Sequence, residues 1–162
     1  MKTFRYPYRE RKHRLDSIIY GGRIVVSFTL CVKDRKELFI SDFIVNQFES
    51  ILLEELKIHN CSSYVYLFMP DHAHIVLSGN SEESNIKKCI DSFKKKTGFW
   101  LYKNKNEFKW QKDYYDHILR KEEDLETQIK YILNNPVRLA MVENWKQYKF
   151  KGSTIFNLNE WE

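Results

Sequence analysis

Apolar and polar positions follow several distinct rhythms along the chain, and each change of rhythm marks an element. Residues 24–33, IVVSFTLCVK, are β-branched and apolar, which predicts a buried strand. From 40 to 58 the apolar positions Ile40, Phe43, Ile44, Phe48, Ile51, Leu52 and Leu56 recur at helical spacing, with Ser41 placed to cap the N-terminus. Residues 62–69, SSYVYLFM, read as a strand apolar on both faces. Pro70-Asp71 predicts a turn, and residues 72–78, HAHIVLS, the partner strand of a hairpin. A second helix runs from about Ser84 to Tyr102, with Ile86, Ile90 and Phe93 inward and Lys87, Lys88, Lys94, Lys95 and Lys96 outward. A short strand follows at 114–120. A third helix at 122–134 should stop near Asn135, because Pro136 disfavours helical geometry in the residue before it. Beyond Val142 the pattern fades, apart from a short strand near Tyr148–Lys151.

The order βαββαβ plus a helix predicts an α+β fold, the ferredoxin-like split βαβ arrangement. An antiparallel sheet would carry helices on one face, with a further C-terminal helix bearing Tyr131. No repeat or linker interrupts the chain, so residues 1–162 read as one domain, with a basic N-terminal arm (1–20) and a C-terminal extension (143–162).

Composition supports this reading. With 43% hydrophobic and 30% charged residues in 162, the chain can bury a core. No apolar run approaches the ~20 residues of a membrane span, and no apolar segment follows the basic N-terminus as a secretory signal requires. Cys31, Cys61 and Cys89 are far apart and odd in number, which predicts reduced thiols in a cytoplasmic protein. The net charge of +5 hides blocks: residues 1–36 carry +7, 37–85 carry −7, 86–112 carry +7 and 113–162 carry −2. Both basic blocks contain aromatics. Cations bind phosphate and flat rings stack on unpaired bases, so Arg11, Lys12, Arg14, Lys87, Lys94, Lys95 and Lys96 become candidate contacts to single-stranded or hairpin nucleic acid. A solvated basic surface over ordinary core aromatics reads equally well from charge alone.

The candidate chemistry begins with His72-Ala73-His74. On a strand, residues two apart share a face, so both imidazoles would sit together on the open face of the sheet, spaced to chelate a divalent ion. An incidental pair fits that spacing as well. On the third helix, a wheel centred on Tyr131 places Asp124, Gln128 and Asn135 within roughly 60° of it. Leu125, Ile129, Ile132 and Leu133 cluster about 150° away. Tyr131 therefore lies off the apolar stripe, on a face offering a phenol, a carboxylate and two amides. A tyrosine on a solvated helix face gives the same wheel.

The runs YVYLFMPDHAHIVL and WQKDYYDHILRKEEDLETQIKYILNNPVRLAMV resemble the REP-associated tyrosine transposases, within the single-tyrosine HUH class. The first motif is His72-Ala73-His74, preceded by Met69-Pro70. The second is Tyr131 followed four residues later by Asn135-Pro136-Val137. The resemblance spans about residues 20 to 145. It implies strand transfer on single-stranded hairpin DNA without a nucleotide cofactor. By resemblance Tyr131 is the nucleophile, leaving a 5′-phosphotyrosine and a free 3′-OH. His72 and His74 would bind Mg²⁺ or Mn²⁺, and Asn135 matches the third ligand position. His117, in the shared YYDHILR block, reads as a ligand, a support for the ligands, or a purely structural residue. Gln128 and Asp124 share the Tyr131 face and could orient substrate. The partner would be single-stranded or hairpin DNA, the protein a monomer or homodimer. Two other readings stay open: a domesticated hairpin-binding module, and a metal-dependent nuclease in which Tyr131 is incidental. A covalent protein–DNA adduct separates the first reading from both.

Overall fold

The computed structural model describes residues 21–161. Its elements, in order, are β1 (Val25–Cys31), α1 (Asp42–Ile58), β2 (Cys61–Met69), β3 (His72–Gly79), α2 (Ile86–Asn104), β4 (Tyr115–Leu119), α3 (Glu122–Leu133), α4 (Asn135–Arg138) and β5 (Lys151–Gly152). The sheet has the order β4-β1-β3-β2-β5 and every pairing is antiparallel. The first four strands give the expected ferredoxin-like arrangement, and β5 extends it beyond β2.

Side-chain alternation sorts the sheet into two faces. Val26, Phe28 and Leu30 of β1 share a core with Ala73, Ile75 and Leu77 of β3. α1 covers it with Ile44, Val45, Phe48, Leu52 and Leu56, and α2 with Ile86, Cys89, Ile90, Phe93 and Leu101. Ser41 caps α1 as expected, its hydroxyl accepting from the Ile44 amide at 3.4 Å. Asn85 does the same for α2, accepting from the Lys88 amide at 2.9 Å. Between the two helices Glu55, fully buried, is met by Lys96.

The other face is not open, contrary to the expectation from periodicity. Val65, Leu67 and Met69 of β2 and Val76 of β3 form a second core with Ile129, Ile132 and Leu133 of α3 and with Tyr148 and Leu158. α3 carries the apolar stripe the wheel assigns it, and such a stripe must be buried against something. The doubly apolar β2 is the surface that buries it. The C-terminal extension completes this cover. The Tyr148 hydroxyl donates to the Phe68 carbonyl at 2.6 Å, and the Phe68 amide to the Phe150 carbonyl at 2.9 Å. Strand β5 lies so close to β2 that a Cβ on Gly152 would sit 2.1 Å from the Tyr66 hydroxyl, so only glycine fits there. The basic arm, with Arg11, Lys12 and Arg14, lies outside the described residues.

α3 ends at Leu133, close to the expected boundary. Pro136 occupies the first turn of α4, where its missing amide hydrogen costs nothing, and the chain thus continues helically past Asn134. The three cysteines are free thiols and buried, and the fold brings Cys61 into hydrogen-bond contact with Cys89. Among the described residues no helix is long and apolar enough to cross a membrane.

Candidate active site

The hairpin of β2 and β3 delivers the imidazoles. Its tip, Pro70-Asp71, is fastened to the preceding segment: the Leu38 and Phe39 amides donate to the Pro70 carbonyl at 2.7 and 3.0 Å, and the Val32 amide to the Asp71 carbonyl at 2.9 Å. Central strand β3 is paired on both sides, with Cys31 and Met69 opposite His72, and Thr29 and Leu67 opposite His74. Register therefore fixes the face of the sheet on which both rings lie.

The two Nε2 atoms lie 3.1 Å apart. The Asn135 side-chain amide reaches both, with Nδ2 at 2.6 Å from His74 Nε2 and 3.5 Å from His72 Nε2. All three groups are buried, beneath α3 rather than on an open sheet face. Each outer ring nitrogen is held in turn. The Asp71 carboxylate accepts from His72 Nδ1 at 2.6 Å, and Thr29 Oγ1 lies 3.1 Å from His74 Nδ1. With Asp71 and Thr29 holding the outer ring nitrogens, both Nε2 atoms turn toward the Asn135 amide. Arg35 completes the chain, its Nε 3.0 Å from the other Asp71 oxygen. Arg35 itself sits at a left-handed φ of 54°, a strained backbone that the surrounding bonds hold in place.

Electrostatics favour a neutral His74. Burial, then the neighbouring His72, Arg138 and Arg35, hold the His74 imidazolium well below its usual pKa. Burial alone would raise the Asp71 carboxyl, but the hydrogen bond and charge of His72 and the charge of Arg35 outweigh it and lower its pKa. Two imidazole nitrogens and one amide converge here; with the Asn135 amide turned so that Oδ1 rather than Nδ2 faces the rings, they are a donor set suited to a divalent cation, with imidazole favouring Mn²⁺ at least as well as Mg²⁺. Among the described residues no cluster of three His, Cys, Asp or Glu side chains offers a competing metal site.

Tyr131 lies one helical turn before Asn135, half-buried at the edge of this cluster. The Arg138 guanidinium stacks on its ring, 3.8 Å from the centroid. Arg138 is thus within influence of both the phenol and His74. Gln128, from the Tyr131 face, donates to Ser27 Oγ at 3.1 Å and so docks α3 onto β1 rather than touching the imidazoles. His117 pairs with Ser27 on edge strand β4, on the same face as His74 but two strands away and two residues further along, about 12 Å by strand spacing and rise. Asp124 is exposed near the start of α3. Of the candidate DNA contacts, Lys95 is exposed, Lys87 pairs with Asp91, Lys94 donates to the Lys112 carbonyl at 2.6 Å, and Lys96 is engaged by Glu55.

Sequence reasoning missed Asp71, Thr29, Arg35 and Arg138. Asp71 is adjacent to the motif and could have been read as a ring-orienting carboxylate. Thr29 and Arg35 reach the site only through strand register and a turn. Arg138 lies seven residues beyond Tyr131, a helical spacing that a wheel could have caught had it not been stopped at Pro136.

Comparison with known proteins places this geometry. The family described as "Transposase IS200 like" matches residues 22–135. A Haemophilus influenzae protein named as a REP-associated tyrosine transposase is 27% identical over 136 residues, covering 77% of each chain. Among solved structures, a REP-associated tyrosine transposase bound to a REP hairpin superposes with a TM-score of 0.69 at 17% identity, over 88% of this chain and 81% of the other. A transposase structure from Deinococcus radiodurans R1 gives a TM-score of 0.52 at 15% identity, over 79% and 96%. The shared span contains β1 through Asn135, and so every element that carries the imidazoles, the amide and Tyr131; the chain belongs to the IS200-like transposase family, enzymes that cleave DNA.

Proposed function

We propose that this transposase cleaves and rejoins single-stranded or hairpin DNA in the cytoplasm, with Tyr131 as nucleophile and a divalent ion, Mg²⁺ or Mn²⁺, held by His72, His74 and Asn135. The observation that carries the reading is the convergence of both Nε2 atoms on the Asn135 amide, one helical turn from a tyrosine under an arginine. The solved relative bound to a REP hairpin supports the choice of DNA partner.

The Tyr131 oxygen attacks the scissile phosphorus and loses its proton. The bond from phosphorus to the 3′ oxygen breaks, and that oxygen leaves as a 3′-OH. The phosphoryl group stays on Tyr131 as a 5′-phosphotyrosine. Phenol, with a pKa of about 10, is a modest nucleophile and a fair leaving group, so an incoming 3′-OH can reverse the step without a nucleotide cofactor. When bound, the ion would neutralise a non-bridging phosphate oxygen and stabilise charge that grows in the transition state. Asp71 and Thr29 orient the two imidazoles, Arg35 orients Asp71, and Gln128 seats α3 so that Tyr131 stays beside Asn135. Arg138 fixes the phenol ring by stacking and adds a second positive charge for the phosphate.

The test is Tyr131→Phe. Parent protein incubated with single-stranded hairpin substrate labelled 3′ of the break should form an adduct that survives SDS and maps to Tyr131. Tyr131→Phe should keep its fold and bind the hairpin but neither cleave it nor form the adduct. A cleaving Tyr131→Phe protein, or an adduct on Tyr114 or Tyr115, overturns the assignment. Hairpin binding with no adduct from the parent protein would instead mark a binding module.

A further inference from the structure

On the far side of the sheet from the imidazoles, a cleft of about 450 Å³ opens between α2 and the segment 106–114 that leads into β4. One wall is a single helical face, Lys95, Gly98 and Tyr102. The other carries Phe108, Lys109 and Lys112. Two rings form the floor, and both have their polar atoms satisfied from within: Trp110 Nε1 donates to Thr97 Oγ1 at 2.8 Å, and the Tyr114 hydroxyl donates to Asp91 at 2.9 Å. Both rings are largely buried, so the floor offers a narrow strip of aromatic surface and no free hydrogen-bonding group, and the open ring of the cleft is that of Tyr102 at its rim. Gly98 lies beside the floor, where a Cβ would come within 3.8 Å of Trp110.

The mouth is cationic and aromatic. Lys95, Lys109 and Lys112 are all exposed around it, and the one carboxylate lining the cleft, Asp91, is already paired with Lys87. Tyr102, at the rim, is 69% exposed, a large ring left in solvent with no packing role of its own. Lys94 bonds the Lys112 carbonyl and ties the two walls together, so the cleft is pre-formed. A volume in the range of small-ligand sites, flat rings within and three ammonium groups at the entrance match a single unpaired nucleotide, base inward and phosphate outward.

We infer that this cleft holds one unpaired nucleotide of the DNA substrate, its base against Tyr102 and Trp110 and its phosphates at Lys95, Lys109 and Lys112. The inference rests on the reading of DNA as substrate, but the cleft is separate from the cleavage chemistry. Trp110 and Tyr114 belong to the core under α1 and α2, whereas His72 and His74 face α3. One DNA molecule held at both places passes around the β4 edge, so the cleft anchors the strand while Tyr131 acts on it elsewhere.

The experiment uses the full chain and a thymidine dodecamer in which one base is 5-iodouracil. Irradiation should cross-link the parent protein at Tyr102 or Trp110. Tyr102→Ala should weaken dodecamer binding by about five- to 150-fold, the range for one lost base stack. Lys109→Glu with Lys112→Glu should flatten the salt dependence of log K by about 1.4, as expected for two lost phosphate contacts to a single strand. Neither variant should change Mn²⁺ affinity or the position of the covalent adduct at saturating DNA. Parent-level affinity and cross-linking in both variants overturn the inference. So does binding of thymidine monophosphate as tightly as the dodecamer, which would mark a nucleotide-metabolite site. A protein that cross-links in the cleft yet forms no Tyr131 adduct refutes the nucleophile assignment and leaves the cleft standing.

Discussion

Arg138→Ala should separate positioning of Tyr131, the proposed nucleophile, from its chemistry. The guanidinium lies 3.8 Å from the Tyr131 centroid and is half-buried, so the stack is worth about 1 kcal/mol of order in that ring. If the same cation also meets the phosphate, one charge-assisted hydrogen bond adds about 1.5–3 kcal/mol in the transition state. Together they amount to about 2.5–4 kcal/mol, or a rate loss on the order of 10²–10³. Arg138→Lys keeps the charge but not the planar stack, so it should fall between the parent and Arg138→Ala. Single-turnover cleavage of a labelled hairpin at saturating DNA isolates the chemical step, and a titration reports binding separately. The loss should appear mainly in the rate at saturation, with hairpin affinity changed by less than about tenfold. Arg138→Ala cleaving at the parent rate under saturation would refute both the stacking and the phosphate role.

Three further outcomes test other parts of the structure. Thr29→Val, which keeps shape but removes the partner of His74 Nδ1, should lower Mn²⁺ affinity by about 10- to 100-fold, and His74→Ala should abolish tight binding; unchanged Mn²⁺ binding by electron paramagnetic resonance would dismiss the donor set. Burial alone would raise the Glu55 carboxyl above its ordinary 4.5, but hydrogen bonds from Lys96, Ser92 and His59 outweigh it and lower the pKa. A lowered folded-state pKa contributes stability that is fully present above about pH 4.5 and lost as pH falls through the folded value, so urea unfolding of the parent should weaken below pH 4.5 more than that of Glu55→Gln. Gly152→Ala drives a Cβ into Tyr66 and should destabilise the fold by about 1–3 kcal/mol in urea, with a wild-type midpoint refuting the close packing of β5.

The strands, the two long helices and the cap of α1 were legible because their signals are local: the β-branched apolar run of β1, alternation in β3, Ser41 before α1, and the α3 stripe of Ile129, Ile132 and Leu133. The same locality put His72 and His74 on one face. What periodicity could not supply was the layer above that face. The burial of both imidazoles depends on where α3 lands, and that is decided by β2, whose two apolar faces were visible but whose second partner was not. Likewise the Lys96–Glu55 pair joins residues 41 apart on different helices, so an outward lysine in the pattern became an interhelical tie in the fold. The contacts of Arg35 require a left-handed backbone that its sequence does not announce.

The donor set and its support are drawn from distant parts of the chain: Thr29, which orients His74, on the first strand, the imidazoles on the third, and the amide beyond the sheet's fourth strand at position 135. A nascent chain still short of that position lacks the third donor, and one short of residue 131 lacks Tyr131 as well. Under the proposed roles, no ribosome-bound fragment that ends before Asn135 can cut DNA. Competence arrives only with the folded chain, and an ion that binds the assembled cluster but not the loose one adds its binding free energy to that fold. Temperature or truncation that loosens α3 should then silence the enzyme before it unfolds, leaving behind an inert DNA-binding protein rather than an unregulated nuclease.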